Sequence, residues 1–179
     1  MVKLIRYKLL IKQYKNRVYS YGMYMLRNRM DADDITQEVF IRLWRNIDNF
    51  NVGSAGSYIM KITHNLCLDY IKKRKLSLSR EYAIDDYFEE THADNHNENN
   101  PQSSAHWGIM SVKIKDAIYK LPDNLKSVFV LYEIEGYKYT EISKALDMPL
   151  NTVKVYLMRA RQKLQEELKE FKEREKVYD

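Results

Sequence analysis

A short segment that begins near residue 151 carries side chains able to bond to the edges of nucleic-acid bases. Lys154 and Arg159 supply cationic donors, and an Arg guanidinium can make two hydrogen bonds to one guanine. Val155 and Met158 can contact a thymine methyl group. Backbone amides at a helix start near Thr152 could hold a phosphate. These residue types predict a surface that reads duplex DNA.

A helix must position these side chains, and its buried face is visible in the apolar spacing. The inward residues step by 4, 3 and 4: Val153, Leu157, Ala160 and Leu164. They are predicted to pack on a shorter preceding helix, TEISKAL, across a break at 147–149. The facing residues of that helix are Ile142, Ala145 and Leu146. Ala145 is small where the two helices must cross, which is typical of a helix-turn-helix.

The groove-facing residues then follow by elimination. They are Lys154, Val155, Met158, Arg159 and Gln162, with Arg161 on the flank. An ordinary helical hairpin with a solvated basic face is the alternative. The length of the break, Ala145 and the charged outer face together favour DNA binding.

The rest of this second domain is also predicted to be helical. A helix ends at Pro122, and its inward residues are Val112, Ile114, Ala117, Ile118 and Leu121. The apolar face continues through Leu125, Phe129 and Tyr132. Gly136 fits a left-handed helix end, and Thr140 is predicted to start the next helix.

The first domain is predicted to contain three helices. One inward stripe is Ile11, Tyr14, Val18, Tyr21 and Met25, and a second is Ile35, Val39, Leu43 and Ile47. Carboxylates of the cluster 31–34 are predicted to cap the second helix. The third helix, 57–75, follows a turn containing Gly53, Ser54 and Gly56. It would end in four basic residues that favour the negative end of the helix dipole.

Charge separates the 179 residues into three segments. Residues 1–75 have a net charge of +9, residues 76–110 of −6 and residues 111–179 of +2. Within the middle segment, residues 91–104 (THADNHNENNPQSS) have almost nothing to bury. We therefore predict an all-α chain of two small helical domains, 1–76 and 109–179, joined by an acidic flexible linker at 77–108. His92 and His96 lie in that linker without further ligands, so no metal and no cofactor are predicted.

Other features of the sequence limit the functions that are possible. Cys67 is the sole cysteine, so no internal disulfide is possible, and it is predicted to be a core thiol. Cations interrupt the apolar residues of 2–11, so no signal peptide or membrane span is predicted, and a cytoplasmic location is expected. The sequence contains neither a glycine-rich phosphate-binding loop nor a nucleophile-elbow motif, so an enzyme is not predicted. A dimeric DNA-binding regulator that uses the tail QEELKEFKEREK as a contact helix is the alternative.

Two segments resemble a known family. Residues 121–164 are similar to the C-terminal domain of extracytoplasmic-function (ECF) sigma factors, and 33–44 with the third helix resemble their N-terminal domain. The resemblance implies a non-catalytic subunit that directs bacterial core RNA polymerase to a promoter and helps to open it. It also implies that an anti-sigma factor restrains the protein. The acidic segment lies at the same position in the chain as the linkers of family members, which thread through the RNA exit channel of the polymerase.

The resemblance assigns residues to three tasks. Asp34, Gln37 and Glu38 would dock on the clamp helices of the largest polymerase subunit, although helix capping and solvation would explain them too. The groove-facing helix would read the minus-35 element, but Val155 and Tyr156 replace the usual Ser and Arg. The third helix would bind the minus-ten element through Tyr58, Lys61, Asn65, Lys72, Lys73 and Arg74. Tyr58 stands where the family usually has Trp, and core packing is the favoured interpretation for it.

Overall fold

The computed structural model describes residues 2–49, 52–81 and 104–178, and helices make up almost all of them. No β-strand occurs in these ranges. The helices are α1 (Val2–Leu26), α2 (Arg29–Asn46), α3 (Ala55–Glu81), α4 (Ser104–Lys120), α5 (Asp123–Phe129), α6 (Tyr139–Leu146) and α7 (Leu150–Tyr178). A 3₁₀ turn at Val52–Ser54 precedes α3, and a π-helical segment at Val130–Ile134 follows α5. We call α1–α3 the N-terminal domain and α4–α7 the C-terminal domain.

The N-terminal domain is a bundle in which α1, α2 and α3 all contact one another. Its core confirms most of the predicted stripes. Val18, Tyr21 and Met25 of α1 are buried, whereas Ile11 and Tyr14 are half-buried. All four predicted residues of α2 are buried: Ile35, Val39, Leu43 and Ile47. Cys67 is buried as predicted, and burial raises the pKa of its thiol to about 12.

The start of α2 differs from the prediction. The helix begins at Arg29, and the Oδ1 of Asn28 accepts a hydrogen bond of 3.1 Å from the amide of Asp31. Asp31 itself accepts a 2.5 Å hydrogen bond from the hydroxyl of Tyr70 on α3. The prediction that carboxylates cap this helix was therefore wrong, because an amide three residues earlier already fills that position.

The third helix is longer than predicted. It runs from Ala55 to Glu81, so the four basic residues at 72–75 lie within it rather than at its end. The dipole explanation for those cations was therefore wrong, because the dipole acts only over the last turn. Helical structure also extends into both ends of the predicted linker, since α4 starts at Ser104. His92 and His96 lie outside the described residues.

The C-terminal domain packs α5 and α6 against α7. Ala117, Ile118 and Leu121 are buried as predicted. Val112 and Ile114 are 53% and 40% exposed, so their assignment to the core was wrong. Among the described side chains of α4, burial is confined to the turn near its carboxyl end.

Two breaks set the path into α6. Gly136 has φ of +71° and no atom within 4 Å of an added Cβ, which confirms the predicted left-handed position. The amide of Lys138 then donates a 2.8 Å hydrogen bond to Glu141 Oε2, and α6 begins at Tyr139. Thr140, predicted as the first residue, thus lies one residue inside the helix.

The two domains pack against each other. Helix α3 lies along α6, while α1 contacts α4, α5 and the π-helical segment. The buried apolar residues of both domains form one continuous cluster. This packing places the part of α3 that carries Lys61 against the C-terminal domain.

Candidate nucleic-acid interface

Helices α6 and α7 form the predicted helix-turn-helix. Ile142 and Ala145 on α6 and Val153 and Leu157 on α7 are almost fully buried, as the spacing predicted. Asp147 ends α6 in the left-handed conformation, with φ of 55°. The turn is closed by the hydroxyl of Ser143, which donates a 2.6 Å hydrogen bond to the carbonyl of Met148. The buried side of α7 is therefore fixed to the domain.

The opposite side of α7 is open. Lys154 and Arg159 are exposed, and Val155 and Met158 are 39% and 51% exposed. Apolar side chains so exposed beside cations suit contact with bases and thymine methyl groups. We call these four residues the groove face. Thr152 is half-buried in the first turn, and the amide of Val153 already donates to the carbonyl of Pro149 at 3.1 Å.

Arg161, predicted on the flank of the groove face, has a protein partner. Its Nε and Nη2 donate hydrogen bonds of 2.9 and 2.6 Å to Glu133 Oε1. The same guanidinium lies 5.6 Å from the ring centroid of Tyr132, which stacks on Tyr139 at 4.8 Å. Sequence reasoning missed Glu133, because no periodic pattern links residues 28 positions apart on different elements. Arg161 therefore ties α7 to the π-helical segment.

Helix α3 brings together the residues predicted for the minus-ten element. Tyr58, Lys61, Asn65 and Lys72 are spaced 3, 4 and 7 apart and so share one side of the helix. Tyr58 and Lys61 are half-buried, and the others are exposed. Lys73 and Arg74 follow in the chain and are exposed, but the turn of the helix carries Arg74 to the other side of α3. We call these six residues the strand face.

Two carboxylates of the C-terminal domain reach cations of α3. Asp147 Oδ2 lies 3.4 Å from Lys61 Nζ, and Asp123 Oδ2 lies 3.6 Å from Lys75 Nζ. Sequence reasoning missed both acids. Asp147 was interpreted only as part of a helix break, and no local signal indicates a contact with a residue so distant in the chain.

A cavity of about 230 Å³ lies between the domains. The turn before α3 lines one side, and Gly136, Tyr137 and Lys144 line the other. Tyr137 is 4% exposed, and burial raises the pKa of its hydroxyl to about 12. The guanidinium of Arg17 lies 5.4 Å from the centroid of its ring. Residues of the C-terminal domain thus face the turn at 53–57 across this cavity.

The boundary also buries charged groups. Lys126 is 5% exposed, and burial lowers the pKa of its ammonium, although Asp123 Oδ1 lies 3.5 Å away. Burial likewise raises the pKa of the Glu135 carboxyl, which is 9% exposed. Buried charges of this kind are costly unless paired. Asp123 serves both Lys126 and Lys75, and so links the two domains electrostatically.

The residues predicted to dock on polymerase lie on α2. Asp34 and Gln37 are exposed, and Glu38 is half-buried. Glu38 Oε1 accepts a 2.7 Å hydrogen bond from Arg42 Nε, four residues later. All three lie off the buried stripe of α2, so their side chains form one accessible surface.

Two features are absent from the described part of the chain. Among them, no three His, Cys, Asp or Glu side chains are grouped closely enough to hold a metal ion. None of the helices in the described part of the chain is both long and apolar enough to cross a membrane.

Comparison with known proteins identifies both domains. Residues 10–76 match the family model for Sigma-70 region 2, and residues 111–164 match the model for Sigma-70 region 4. The ECF RNA polymerase sigma factor SigW of Bacillus subtilis is 33% identical over 163 residues, which cover 88% of this chain and 86% of that protein. SigE of Mycolicibacterium smegmatis is 32% identical over 89% of this chain, which spans 60% of that relative's length.

Solved structures show the same fold. The sigma factor RpoE, in complex with the anti-sigma factor NepR from Bartonella quintana, superimposes with a TM-score of 0.70 at 21% identity. The match covers 90% of this chain and 96% of that one. CnrH, in complex with the cytosolic domain of CnrY, gives a TM-score of 0.61 at 18% identity and covers 91% of this chain and 87% of that one. By its two domains and its relatives, this chain belongs to the ECF sigma factors of RNA polymerase, a family of promoter-recognising transcription initiation factors.

Proposed function

We propose that this chain holds a promoter at two points, with the groove face in the major groove of the minus-35 element and the strand face on the melted minus-ten element. The observation that carries the proposal is the groove face itself. Its four residues are all exposed: Lys154, Val155, Met158 and Arg159. The opposite side of α7 is buried in the core. A rigid helix that presents cations and apolar groups together suits base-edge readout.

Each side chain of the groove face has a distinct proposed task. Arg159 can pair with a guanine edge, and Lys154 can serve a base edge or a phosphate. Val155 and Met158 would contact thymine methyl groups. Arg161 would act chiefly by holding α7 in place, because Glu133 already accepts both of its described hydrogen bonds. Thr152 lies in the first turn, where its amide could meet a phosphate.

On α3, the cations would hold phosphates of the single strand, which is a salt-dependent and sequence-blind role. Asn65 is exposed and can offer a donor and an acceptor to one base edge. Tyr58 is half-buried, which leaves part of its ring available for stacking. Base contacts by Asn65 and Tyr58 would therefore supply what the lysines cannot, namely preference for a base.

We further propose that Asp34, Gln37 and Glu38 dock on the clamp helices of the largest polymerase subunit. Their surface on α2 faces away from the stripe that packs in the core. In this role the chain is a non-catalytic subunit that acts in the cytoplasm, with core polymerase and promoter DNA as its partners. An anti-sigma factor is a further proposed partner, because the structurally similar RpoE was solved with one.

Two double substitutions test the assignment of roles. Asp34→Ala with Gln37→Ala should abolish binding to core polymerase, because it removes an exposed part of the docking surface. Lys154→Ala with Arg159→Ala should leave that binding intact and remove promoter-specific transcription. Polymerase binding is measured by co-elution, and transcription is measured on a duplex promoter.

Each double substitution has a matched control among the exposed residues. Gln13→Ala with Asp48→Ala removes an amide and a carboxylate elsewhere in the N-terminal domain. Lys115→Ala with Lys169→Ala removes two exposed cations of the C-terminal domain outside the groove face. Both controls should bind polymerase and transcribe like the parent. Normal transcription by the two test variants would refute the residue assignments.

A further inference from the structure

We propose that the outward side of α1 is a surface that binds membranes rich in anionic lipid. Its apolar part, which we call the α1 stripe, consists of Val2, Leu4, Ile5 and Leu9. Its charged part consists of the neighbouring cations Lys8 and Lys12. The proposal concerns a partner other than promoter DNA or polymerase, and it does not depend on the roles of the groove face or the strand face.

The side chains of the α1 stripe are largely open to solvent. Val2 and Leu9 are 80% and 61% exposed, and Ile5 and Leu4 are 54% and 48% exposed. A single exposed apolar side chain is common on soluble proteins. Four of them within eight consecutive positions form a patch, and such patches mark contacts with proteins or membranes.

The rest of the fold fixes which side of α1 faces outwards. Leu10 is buried, and the hydroxyl of Tyr7 donates a 3.0 Å hydrogen bond to the carbonyl of Phe40 on α2. Val2, Ile5 and Leu9 are spaced 3 and 4 apart, so they share the side of the helix that is turned away from these contacts. A membrane would therefore meet a helix that is already formed and anchored in the domain.

The charge of α1 indicates the chemistry of the partner. The helix contains six Lys or Arg residues and no Asp or Glu. Lys8 lies three positions after Ile5, and Lys12 lies three positions after Leu9, so both side chains emerge beside the α1 stripe. Both are exposed, and neither forms an ion pair with a carboxylate of the described residues. An apolar stripe flanked by cations of one sign suits the headgroups of anionic lipids.

Other partners fit this surface less well. The backbone of a nucleic acid would attract the cations, but it offers no apolar surface to four aliphatic side chains. A symmetric pair of copies would bring the cations of one α1 close to those of the other. A bilayer offers both an apolar boundary and negative charge, and the long stems of Lys8 and Lys12 can lie along that boundary with the ammonium groups in water.

The cations also determine how α1 would lie on a bilayer. Lys3, Arg6 and Lys8 interrupt the apolar residues of the first turns, so the segment is not the continuous apolar run of a spanning helix. The helix would instead lie in the plane of the interface, with the α1 stripe at the level where headgroups meet acyl chains.

The test measures sedimentation of the purified full chain with lipid vesicles. One preparation contains phosphatidylcholine with about one-third phosphatidylglycerol, which is anionic, and the other contains phosphatidylcholine alone. The parent should bind the anionic vesicles roughly tenfold or more tightly than the neutral ones, because each cation near an anionic surface strengthens binding several-fold. Equal binding to the two preparations, or binding to neither, would overturn the proposal.

A paired substitution tests the apolar contribution. Ile5→Ser with Leu9→Ser should weaken binding to the anionic vesicles roughly tenfold, because it removes side chains that would leave water. The control, Val112→Ser with Ile114→Ser, removes two apolar side chains that are 53% and 40% exposed on α4. It should bind like the parent. Equal affinities of the test pair and the control would contradict a membrane contact through the α1 stripe.

A second pair tests the cations. Lys8→Gln with Lys12→Gln should weaken binding to the anionic vesicles roughly tenfold. Lys115→Gln with Lys169→Gln makes the same change of charge at exposed positions of the C-terminal domain and should have little effect. If both pairs weaken binding equally, the attraction belongs to the net charge of the chain and the proposal fails.

Two further measurements on Ile5→Ser with Leu9→Ser test other occupants of the α1 stripe. Sedimentation equilibrium without lipid should give the same mass for this variant and the parent, and a dimer formed only by the parent would make the stripe a contact between copies instead. Run-off transcription with core polymerase should also be equal, and a loss in the variant would assign the stripe to the transcription complex and overturn the proposal. If the parent itself gave no promoter-specific transcripts, that result would refute the proposed function and not the vesicle binding.

Discussion

The hydroxyl oxygen of Tyr21 lies 2.8 Å from Nδ1 of His64, inside the N-terminal domain. Both side chains are buried, and their rings meet edge to face at 6.3 Å. Burial lowers the pKa of His64 from 6.5 to about 4, although the carboxylate of Asp123 acts in the opposite direction. His64 is therefore neutral in the folded protein near pH 7, and its protonation is disfavoured because the side chain is buried.

The first prediction is a loss of stability in mild acid that depends on His64. Its folded pKa lies below the unfolded value, so the unfolded state binds more protons between pH 6.5 and about 4. As the pH is lowered through that window, the free energy of unfolding should fall by at most about 3 kcal/mol. Urea unfolding at a series of pH values measures it. His64→Asn should flatten the profile and Tyr21→Phe should not, and identical profiles for the parent and His64→Asn would contradict the prediction.

The second prediction concerns the start of α2. Asn28 Oδ1 accepts from the amide of Asp31, so Asn28→Ala should destabilise the protein by about 1 kcal/mol. In a chain of this size, that corresponds to a fall of roughly 2–4 °C in Tm. Asn28→Asp keeps the acceptor and should cost much less. A thermal melt of Asn28→Ala that matches the parent would show that the cap contributes nothing.

The third prediction concerns the left-handed glycine before α6. Gly136→Ala should destabilise the protein by about 1 kcal/mol, because φ of +71° is strained for a residue with a Cβ. No neighbouring atom would clash with that Cβ, so the cost is one of backbone conformation. Gly136→Asn should recover part of it, since Asn tolerates this region. Equal urea midpoints for Ala and Asn would argue against the backbone explanation.

The fourth prediction separates a DNA contact from a residue that positions α7. If Lys154 neutralises a phosphate, Lys154→Ala should reduce the slope of log affinity against log salt by about 0.9. Arg161→Ala should weaken duplex binding without changing that slope, because its guanidinium is bonded to Glu133. Polymerase holoenzyme and a labelled promoter duplex provide the measurement. A reduced slope for Arg161→Ala would make it a phosphate contact.

The buried stripes could be predicted because helical periodicity is a local property. Val153, Leu157, Ala160 and Leu164 are all buried, as their spacing indicated. Helix ends were less predictable. Asn28 and not the acidic cluster caps α2, because capping depends on which side chain meets the free amides.

The contacts between the domains could not be predicted from the sequence. They join residues far apart in the chain, such as Lys61 and Asp147. They also involve charged residues, which usually face solvent. Lys126 and Glu135 are buried, although charged residues usually face solvent. The site residues themselves could be proposed, since cations and exposed apolar groups on the outer side of a helix indicate DNA. Whether a second domain covers them is a property of the assembled fold.

The most direct test of the central claim is run-off transcription with core RNA polymerase from the cognate organism on candidate promoter templates. Addition of the purified chain should produce transcripts of defined length that core enzyme alone does not make. Lys154→Ala with Arg159→Ala should remove them. Transcription that is no more specific than that of core enzyme alone, across all templates, would contradict the account.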